Sequence, residues 1–544
     1  MKIVIVGAVA GGASAAARAR RLDESAEIIL FERGEAPSFA NCGLPYYVGG
    51  VIEDRQRLLV TPKERLEQRY RLDVRTRTEV LAVDRQAKTV AVRDLTTGQE
   101  SSESYDKLIL SPGATPLRPP IPGIDLPQVY TLRDLGDADR LAKAVAGARG
   151  AVVVGGGFIG IEMAENLVRR GIETTIVELN NQVLPPWDAE MVSSVAEHLR
   201  QQGVQLELSN ATEAIESEAG RLAIRLRSGK KMIADLVVMS VGVRPENKLA
   251  TAAGLAVGKR GGISVDEHMQ TDDPDIYAVG DAVEVRHFID DSPTHIPLGG
   301  PANRQGRIAA EHIFGRASRY RGTQGTAIVG VFEMTAAMTG FSEKVLLAAN
   351  IPYEKIYVHP GNHAGYFPGV EQMSIKLLFA LSDGKLLGAQ VVGRAGVDKR
   401  VDVLAVAIQA GMTVFDLEEM ELAYAPQYGS AKDPVNMAGF VAAGGLRGGQ
   451  PVVHVAALAD GKQTLVDVRT EGEFSRGHIP GAKNIPIEEL RERLGEIPRE
   501  RPVVAYCQVG QRGYLATRVL AQAGYDVANL SGGYTTFCQV ERAG

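Results

Sequence analysis

An α/β protein with two doubly wound nucleotide-binding units is what the sequence predicts, on three observations. Short apolar runs alternate with helical stretches from the start: Lys2 to Val6, a turn, Ala13 to Leu22, then Ile28 to Phe31. The same grammar returns at Ala151 to Val154, Ile161 to Arg170 and Thr174 to Val177. In each unit the first strand meets its helix through a glycine-rich turn, Gly7-Ala8-Val9-Ala10-Gly11-Gly12 and Gly155-Gly156-Gly157-Phe158-Ile159-Gly160. Two such units imply two nucleotides.

The first turn departs from G-x-G-x-x-G, because Val9 stands where the second glycine belongs. Glu32 follows Gly12 by about twenty residues, the spacing of a ribose contact. Gly280-Asp281 after an apolar strand offers a carboxylate to a ribityl chain, which makes the first nucleotide FAD. In the second unit Gly155, Gly157 and Gly160 satisfy the pattern, with backbone and helix N-terminus facing a pyrophosphate. Glu178 ends the next strand, and Leu179-Asn180-Asn181 supplies no arginine for a 2′-phosphate, so NADH is expected over NADPH.

Ser111-Pro112-Gly113-Ala114-Thr115-Pro116 reads as the crossover between units, and Met269 to Asp281 as the return to the first. Mixed α and β follows, then Gly-rich Ala442 to Gln450 as a linker and a last α/β domain. The expected boundaries are 1–111 with 246–322, 112–245, 323–440, a linker at 441–451, and 452–544.

A chain of 544 residues exceeds what one core serves. A net charge of −6 gives no electrostatic footprint for nucleic acid. Three cysteines make no disulfide framework, so a reducing, cytoplasmic setting is expected. Removing the apolar start as a secretory signal would destroy the first βαβ unit, and no apolar run reaches the length of a membrane span. No metal ligand set is assigned.

Cys42, in Ser38-Phe39-Ala40-Asn41-Cys42-Gly43-Leu44-Pro45-Tyr46, has no neighbouring cysteine. A redox centre here must pair with a sulfur brought from outside, a small thiol or sulfane sulfur. A helix N-terminus after Cys42, with an oxidised flavin, is expected to stabilise its thiolate.

On these motifs residues 1 to 440 resemble the flavin-dependent pyridine nucleotide–disulfide oxidoreductases. The Cys42 segment is similar to their single-cysteine branch, which holds coenzyme A disulfide reductases, persulfide reductases, and NADH oxidases and peroxidases. The resemblance implies Rossmann-type FAD and NADH domains followed by an α+β dimerisation domain. It implies FAD contacts at Gly7, Gly11, Gly12, Glu32, Arg33, Gly113, Gly280 and Asp281, and coenzyme A contacts at Ser14, Arg18, Arg21, Ser38, Asn41, Asn303 and Lys432. It further implies a homodimer in which the Tyr366 and Tyr424 hydroxyls reach the cysteine of the other subunit and steady the departing thiolate.

Asp467 to Ala482 together with Cys507-Gln508-Val509-Gly510-Gln511-Arg512 resemble a rhodanese domain, in which loop amides and Arg512 stabilise a thiolate or persulfide at Cys507. His478 and Cys538 are expected to be structural. The expected function is NADH-dependent reduction of coenzyme A persulfide, polysulfide or coenzyme A disulfide, the fusion favouring persulfide. An NADH oxidase or peroxidase cycling through a Cys42 sulfenic acid, and a sulfur-carrier or redox-sensing protein, are the alternatives.

Overall fold

The computed structural model describes residues 1–458 and 462–544. The chain divides into two compact units, Met1–Leu179 with Asn210–Thr323, and Asn180–Ser209 with Gln324–Gly544.

The first unit carries the two predicted nucleotide-binding sheets. One is a parallel sheet ordered Ile276–Ala278, Lys107–Leu110, Lys2–Val6, Glu27–Phe31, Asp73–Arg75. Its central strand pairs Val6 with both Phe31 and Leu110, and Ile3, Val4 and Ile5 are fully buried, as a strand covered on both faces must be. In the other, Gly150–Val154 lies between Glu173–Val177 and Leu236–Met239, again in parallel. Both helices after the glycine turns start earlier than the sequence suggests, as Ala10–Leu22 and Phe158–Arg169. The last glycine of each motif therefore sits inside a helix. A Cβ on Gly12 would lie 1.8 Å from the Gly7 carbonyl oxygen, and one on Gly160 1.9 Å from that of Gly155. These two glycines thus serve close packing of helix on strand and not the turn itself.

The second unit holds an antiparallel sheet ordered Ala327–Val331, Met334–Gly340, Leu386–Gly393, Met373–Phe379, Glu354–Val358. A second, parallel sheet is ordered Val452–Val453, Val527–Leu530, Val503–Tyr506, Thr464–Asp467, Lys483–Asn484. Asn180–Ser209, which the sequence assigned to the 112–245 domain, packs here. Trp187 is fully buried and its indole N–H donates to the Ala337 carbonyl at 3.2 Å. Asp188 and Glu190 converge with Glu343 on the ammonium of Lys376, which is 0% exposed.

The expected linker at 441–451 needs correction, because the helix Pro434–Leu446 runs through its first half. Asp433 caps that helix in a box with Asn436, and Ala442 and Ala443 are fully buried. Burial and a cap outweigh the poor helix propensity of Gly444 and Gly445. No helix among the described residues is long and apolar enough to cross a membrane.

Candidate active site

Within the first unit, Glu32 and Glu178 end equivalent strands and brace the turns beside them. Glu32 accepts the Ala8 amide at 2.9 Å and the Gly34 amide at 2.7 Å, and Glu178 accepts the Gly156 amide at 2.7 Å. A Cβ on Gly157 would meet nothing within 4 Å, so the second turn is open where a pyrophosphate would approach. Gly7 and Gly155 adopt φ of +93° and +108°, which favours glycine. Gly11 faces Ser111 and Val279, so the crossover and the return strand both close on the first turn.

Asp281 and Gly280 form a one-turn 3-10 helix, with the Gly280 amide donating to Gln305 at 2.8 Å. Burial raises the Asp281 carboxyl, opposed by the charges of Arg133 and His295. That carboxylate has no hydrogen-bond partner among the described residues, as a group waiting for a ligand hydroxyl would be. Open turn, braced acids and free carboxylate fit a flavin and a pyridine nucleotide. Arg33, next to Glu32, is exposed and lies 3.7 Å from Glu79.

Cys42 is exposed, in the 3-10 turn Asn41–Gly43 that leads into the short helix Leu44–Val48. Ser38 has a φ of +48°, and its amide donates to the Ala8 carbonyl at 2.7 Å, which ties the cysteine segment to the first glycine turn. Asn41, its amide oriented to suit its neighbours, donates to the Phe39 carbonyl and accepts from Arg133, both at 3.2 Å. Arg133 also donates to the Ala114 carbonyl at 2.6 Å, next to Gly113 at a φ of +78°.

The side chains around Cys42 act against its thiolate in the chain by itself. Desolvation by surrounding atoms raises the thiol, and the carboxylates Glu162 and Asp281 raise it further. The helix after it is five residues long, too short to outweigh two carboxylates. Glu162 itself is pushed up to about 7 by burial and the neighbouring Glu165, while the Tyr46 hydroxyl donating to it at 3.3 Å acts the other way. Replacing Glu162 with Gln is expected to speed alkylation of Cys42 about threefold above pH 7 and to change nothing below pH 6, where Glu162 already carries its proton. Rates of iodoacetamide labelling at Cys42, followed by peptide mass, check this.

The other predicted residues of this unit line two packed helices, Ala10–Leu22 and Gly299–Ile313. Ser14 donates to Asn303 at 2.5 Å. Arg18 donates to Glu311 at 2.5 Å and Arg307 donates to the same oxygen at 3.1 Å, while Arg21 is exposed. Glu311 is held down to about 2: the hydrogen bonds from Ser318, Arg307 and Arg18 outweigh its burial. Arg18 and Arg21 thus share a helix face, but only Arg21 is unencumbered. Arg133, Glu162 and Glu311 are residues the sequence reading missed. Glu162 had a local signal, two positions past the last glycine of the second motif; Arg133 and Glu311 had none, because only folding brings them to their partners.

In the second unit the Tyr366 and Tyr424 hydroxyls lie 2.8 Å apart, with the side chains 75% and 48% exposed. Both phenols are exposed and hydrogen-bonded to one another, and Tyr428 is exposed as well. Lys432 is exposed beside Asp433, which is tied to Arg400 at 2.7 Å.

Cys507 follows the strand Val503–Tyr506, is 1% exposed, and accepts the Gly510 amide at 3.2 Å. Gly510, at a φ of +99°, caps the helix Gln511–Gln522. Arg512 lies in its first turn, forked onto Glu473 at 2.8 and 2.6 Å; Glu473 raises it and the Cys507 thiol adds to this. His478 stacks on Phe474 at 3.7 Å, and Cys538 neighbours Tyr534.

Residues 1–306 match the pyridine nucleotide-disulphide oxidoreductase family. The chain belongs to that family. Its dimerisation domain matches residues 326–433, and a rhodanese-like domain matches 452–539. The fold is accordingly one built for FAD and NAD(H). A coenzyme A disulfide reductase of Staphylococcus aureus is 36% identical over 444 residues, 81% of this chain and 99% of the relative. The structure of the reduced Bacillus anthracis CoADR-RHD superposes with a TM-score of 0.97 at 49% identity, covering 99% of this chain and 98% of that one. That of a NAD-dependent persulfide reductase from A. fulgidus superposes at 0.94 with 38% identity, covering 99% and 100%.

Proposed function

We propose that the protein is an NADH-dependent FAD flavoenzyme that reduces coenzyme A persulfide, polysulfide or coenzyme A disulfide through Cys42, with the carboxy-terminal domain handling sulfane sulfur at Cys507. One observation carries the reading. The unit built for two nucleotides holds a single cysteine, exposed among Asn41, Arg133 and Asp281, so the second sulfur of any S–S bond made there comes from a substrate. The names of the relatives support the substrate class, and the rhodanese-like domain supports persulfide among its members.

A flavin held by the first glycine turn, Glu32 and Asp281 would, when bound, supply two-electron transfer between a pyridine nucleotide and a sulfur linked to Cys42. The residues of the chain do the rest. The Cys42 sulfur attacks the substrate S–S bond, one thiol or sulfide leaves, and the covalent adduct stays on Cys42 until reduced. Ser14, Arg18, Arg21, Ser38, Asn41 and Asn303 hold the coenzyme A portion, the arginines pairing with phosphate. Arg307 joins Arg18 in this role and Glu311 fixes both guanidiniums. Glu178 selects the ribose of NADH by repelling a 2′-phosphate. In the homodimer, Tyr366 and Tyr424 of one subunit donate a proton to the thiolate released at the active site of the other, and Arg512 steadies the charge on Cys507.

Anaerobic NADH oxidation tests the reading. Turnover is expected with coenzyme A persulfide, polysulfide or coenzyme A disulfide as sole acceptor. Turnover with hydrogen peroxide alone would instead make the chain a peroxidase.

A further inference from the structure

The loop that begins at Cys507 rests on the helix Gly533–Ala543 of its own domain. The Tyr534 amide donates to the Cys507 carbonyl at 2.8 Å and the Thr535 amide to the Gln508 carbonyl at 2.9 Å. Gln508 Nε2 donates to Thr535 Oγ1 at 3.0 Å. The approach is close: a Cβ on Gly533 would lie 2.3 Å from the Cys507 carbonyl oxygen. A shift of this first helical turn therefore shifts the loop.

That turn is not held by its own domain alone. Thr536 Oγ1 lies 2.8 Å from Nε2 of His359, and Nδ1 of His359 lies 2.9 Å from Ser374 Oγ. Gln539 Nε2 donates to the same Ser374 hydroxyl at 3.0 Å, and the Tyr357 amide donates to Ser531 Oγ at 3.0 Å. His359, Ser374 and Tyr357 belong to the antiparallel sheet of the dimerisation domain or follow directly on its edge strand Glu354–Val358. His359 and Thr536 are 5% and 1% exposed, so neither hydrogen bond competes with bulk water. Burial pushes the His359 ring down to about 4, which keeps it neutral. A neutral imidazole has one donor and one acceptor, and so satisfies both hydroxyls in either tautomer. At the contact Gly532 adopts a φ of +68°, and a Cβ there would come 2.8 Å from that of Tyr357 and 2.9 Å from His359 Nε2.

We propose that His359 is a positioning residue for sulfur transfer at Cys507: by fixing Thr536 it sets the helical turn that shapes the Cys507–Arg512 loop, so the neighbouring domain completes the sulfurtransferase centre. The proposal rests on the reading that Cys507 carries sulfane sulfur. With thiosulfate as donor, the Cys507 thiolate attacks the outer sulfur, the S–S bond of thiosulfate breaks, and sulfite leaves with the bonding pair. Cyanide then takes the sulfur as thiocyanate and returns the thiolate.

The test uses the full-length flavin-loaded chain and two readouts, thiocyanate formation from thiosulfate and cyanide, and NADH-dependent reduction of coenzyme A disulfide. His359→Leu is expected to slow thiocyanate formation about tenfold with reductase turnover within twofold of wild type, and His359→Gln to recover most of the loss. Thr536→Val, which keeps the side-chain shape, is expected to act in the same direction and decides the matter if His359→Leu does not fold. Sulfur transfer unchanged in the folded variants overturns the proposal. An equal fall in both readouts does so too, because general loosening of the chain would account for it. A wild type that forms no thiocyanate overturns the reading at Cys507 and the proposal with it, whereas normal wild-type transfer with normal variants overturns the proposal alone.

Discussion

Replacing Cys42 with serine is expected to lower NADH-dependent reduction of coenzyme A disulfide and persulfide by at least about a thousandfold. A serine hydroxyl stays protonated at neutral pH and forms no bond to substrate sulfur that a flavin can reduce, so the covalent stage is lost and not merely slowed. The surroundings of Cys42 add to the penalty. Desolvation, Glu162 and Asp281 already disfavour negative charge at this position, and an alkoxide would meet the same field without the acidity of a thiol. Flavin content, measured by absorbance, is expected to be unchanged, since the glycine turns, Glu32 and Asp281 do not depend on the sulfur. Thiocyanate formation at Cys507 is expected to persist. Retention of reductase turnover in the serine variant would remove Cys42 from the chemistry and with it the proposed function.

The second large effect concerns stability. Lys376→Met is expected to destabilise the second unit by about 3–5 kcal/mol, the cost of stranding buried charge when one partner of an ion cluster is removed. The Lys376 ammonium lies 2.9 Å from Asp188 and 2.5 Å from both Glu190 and Glu343, with the Tyr357 ring 5.4 Å away. Tyr357 donates to Glu190 at 2.7 Å and Tyr353 to Glu343 at 2.6 Å, so both glutamates are further committed to this centre. Without the lysine the three carboxylates repel one another around a position that is 0% exposed. Thermal melting is expected to show a loss of about 5–10 °C. The cluster also sets an acid limit. Lys376, with hydrogen bonds from Lys355 and Tyr353, overcomes burial and holds Glu343 down to about 2, against an ordinary 4.5. Its contribution is therefore present above pH 4.5 and lost as the pH falls through about 2. A Lys376→Met protein that melts with the wild type would show that the cluster contributes nothing.

Much of the site was legible in the order of residues because its signals are local. A glycine turn between an apolar strand and a helix, an acid at the end of the next strand, and a lone cysteine in its segment each lie within about twenty positions. These made both nucleotide units, the unpaired Cys42 and the loop around Cys507 legible. Where the reading failed, a distant group decided the outcome. The supposed linker is helical because Asp433 caps it and the core buries Ala442 and Ala443. Glu311, the partner of Arg18, was not legible for the same reason, since it lies far along the chain.

By itself, then, the sequence determined which chemistries this protein carries: two nucleotide turns, one unpaired thiol beside them, and a second thiol in an amide-lined loop. Tertiary structure alone decided the charge around those thiols and what holds them in place. Glu162 and Asp281 set the field at Cys42, and His359 reaches the turn beneath Cys507 from another domain. The physical reason is range. Backbone geometry is dictated by neighbours in the chain, whereas desolvation, Coulomb fields and buried hydrogen bonds depend on which residues folding brings within a few ångströms.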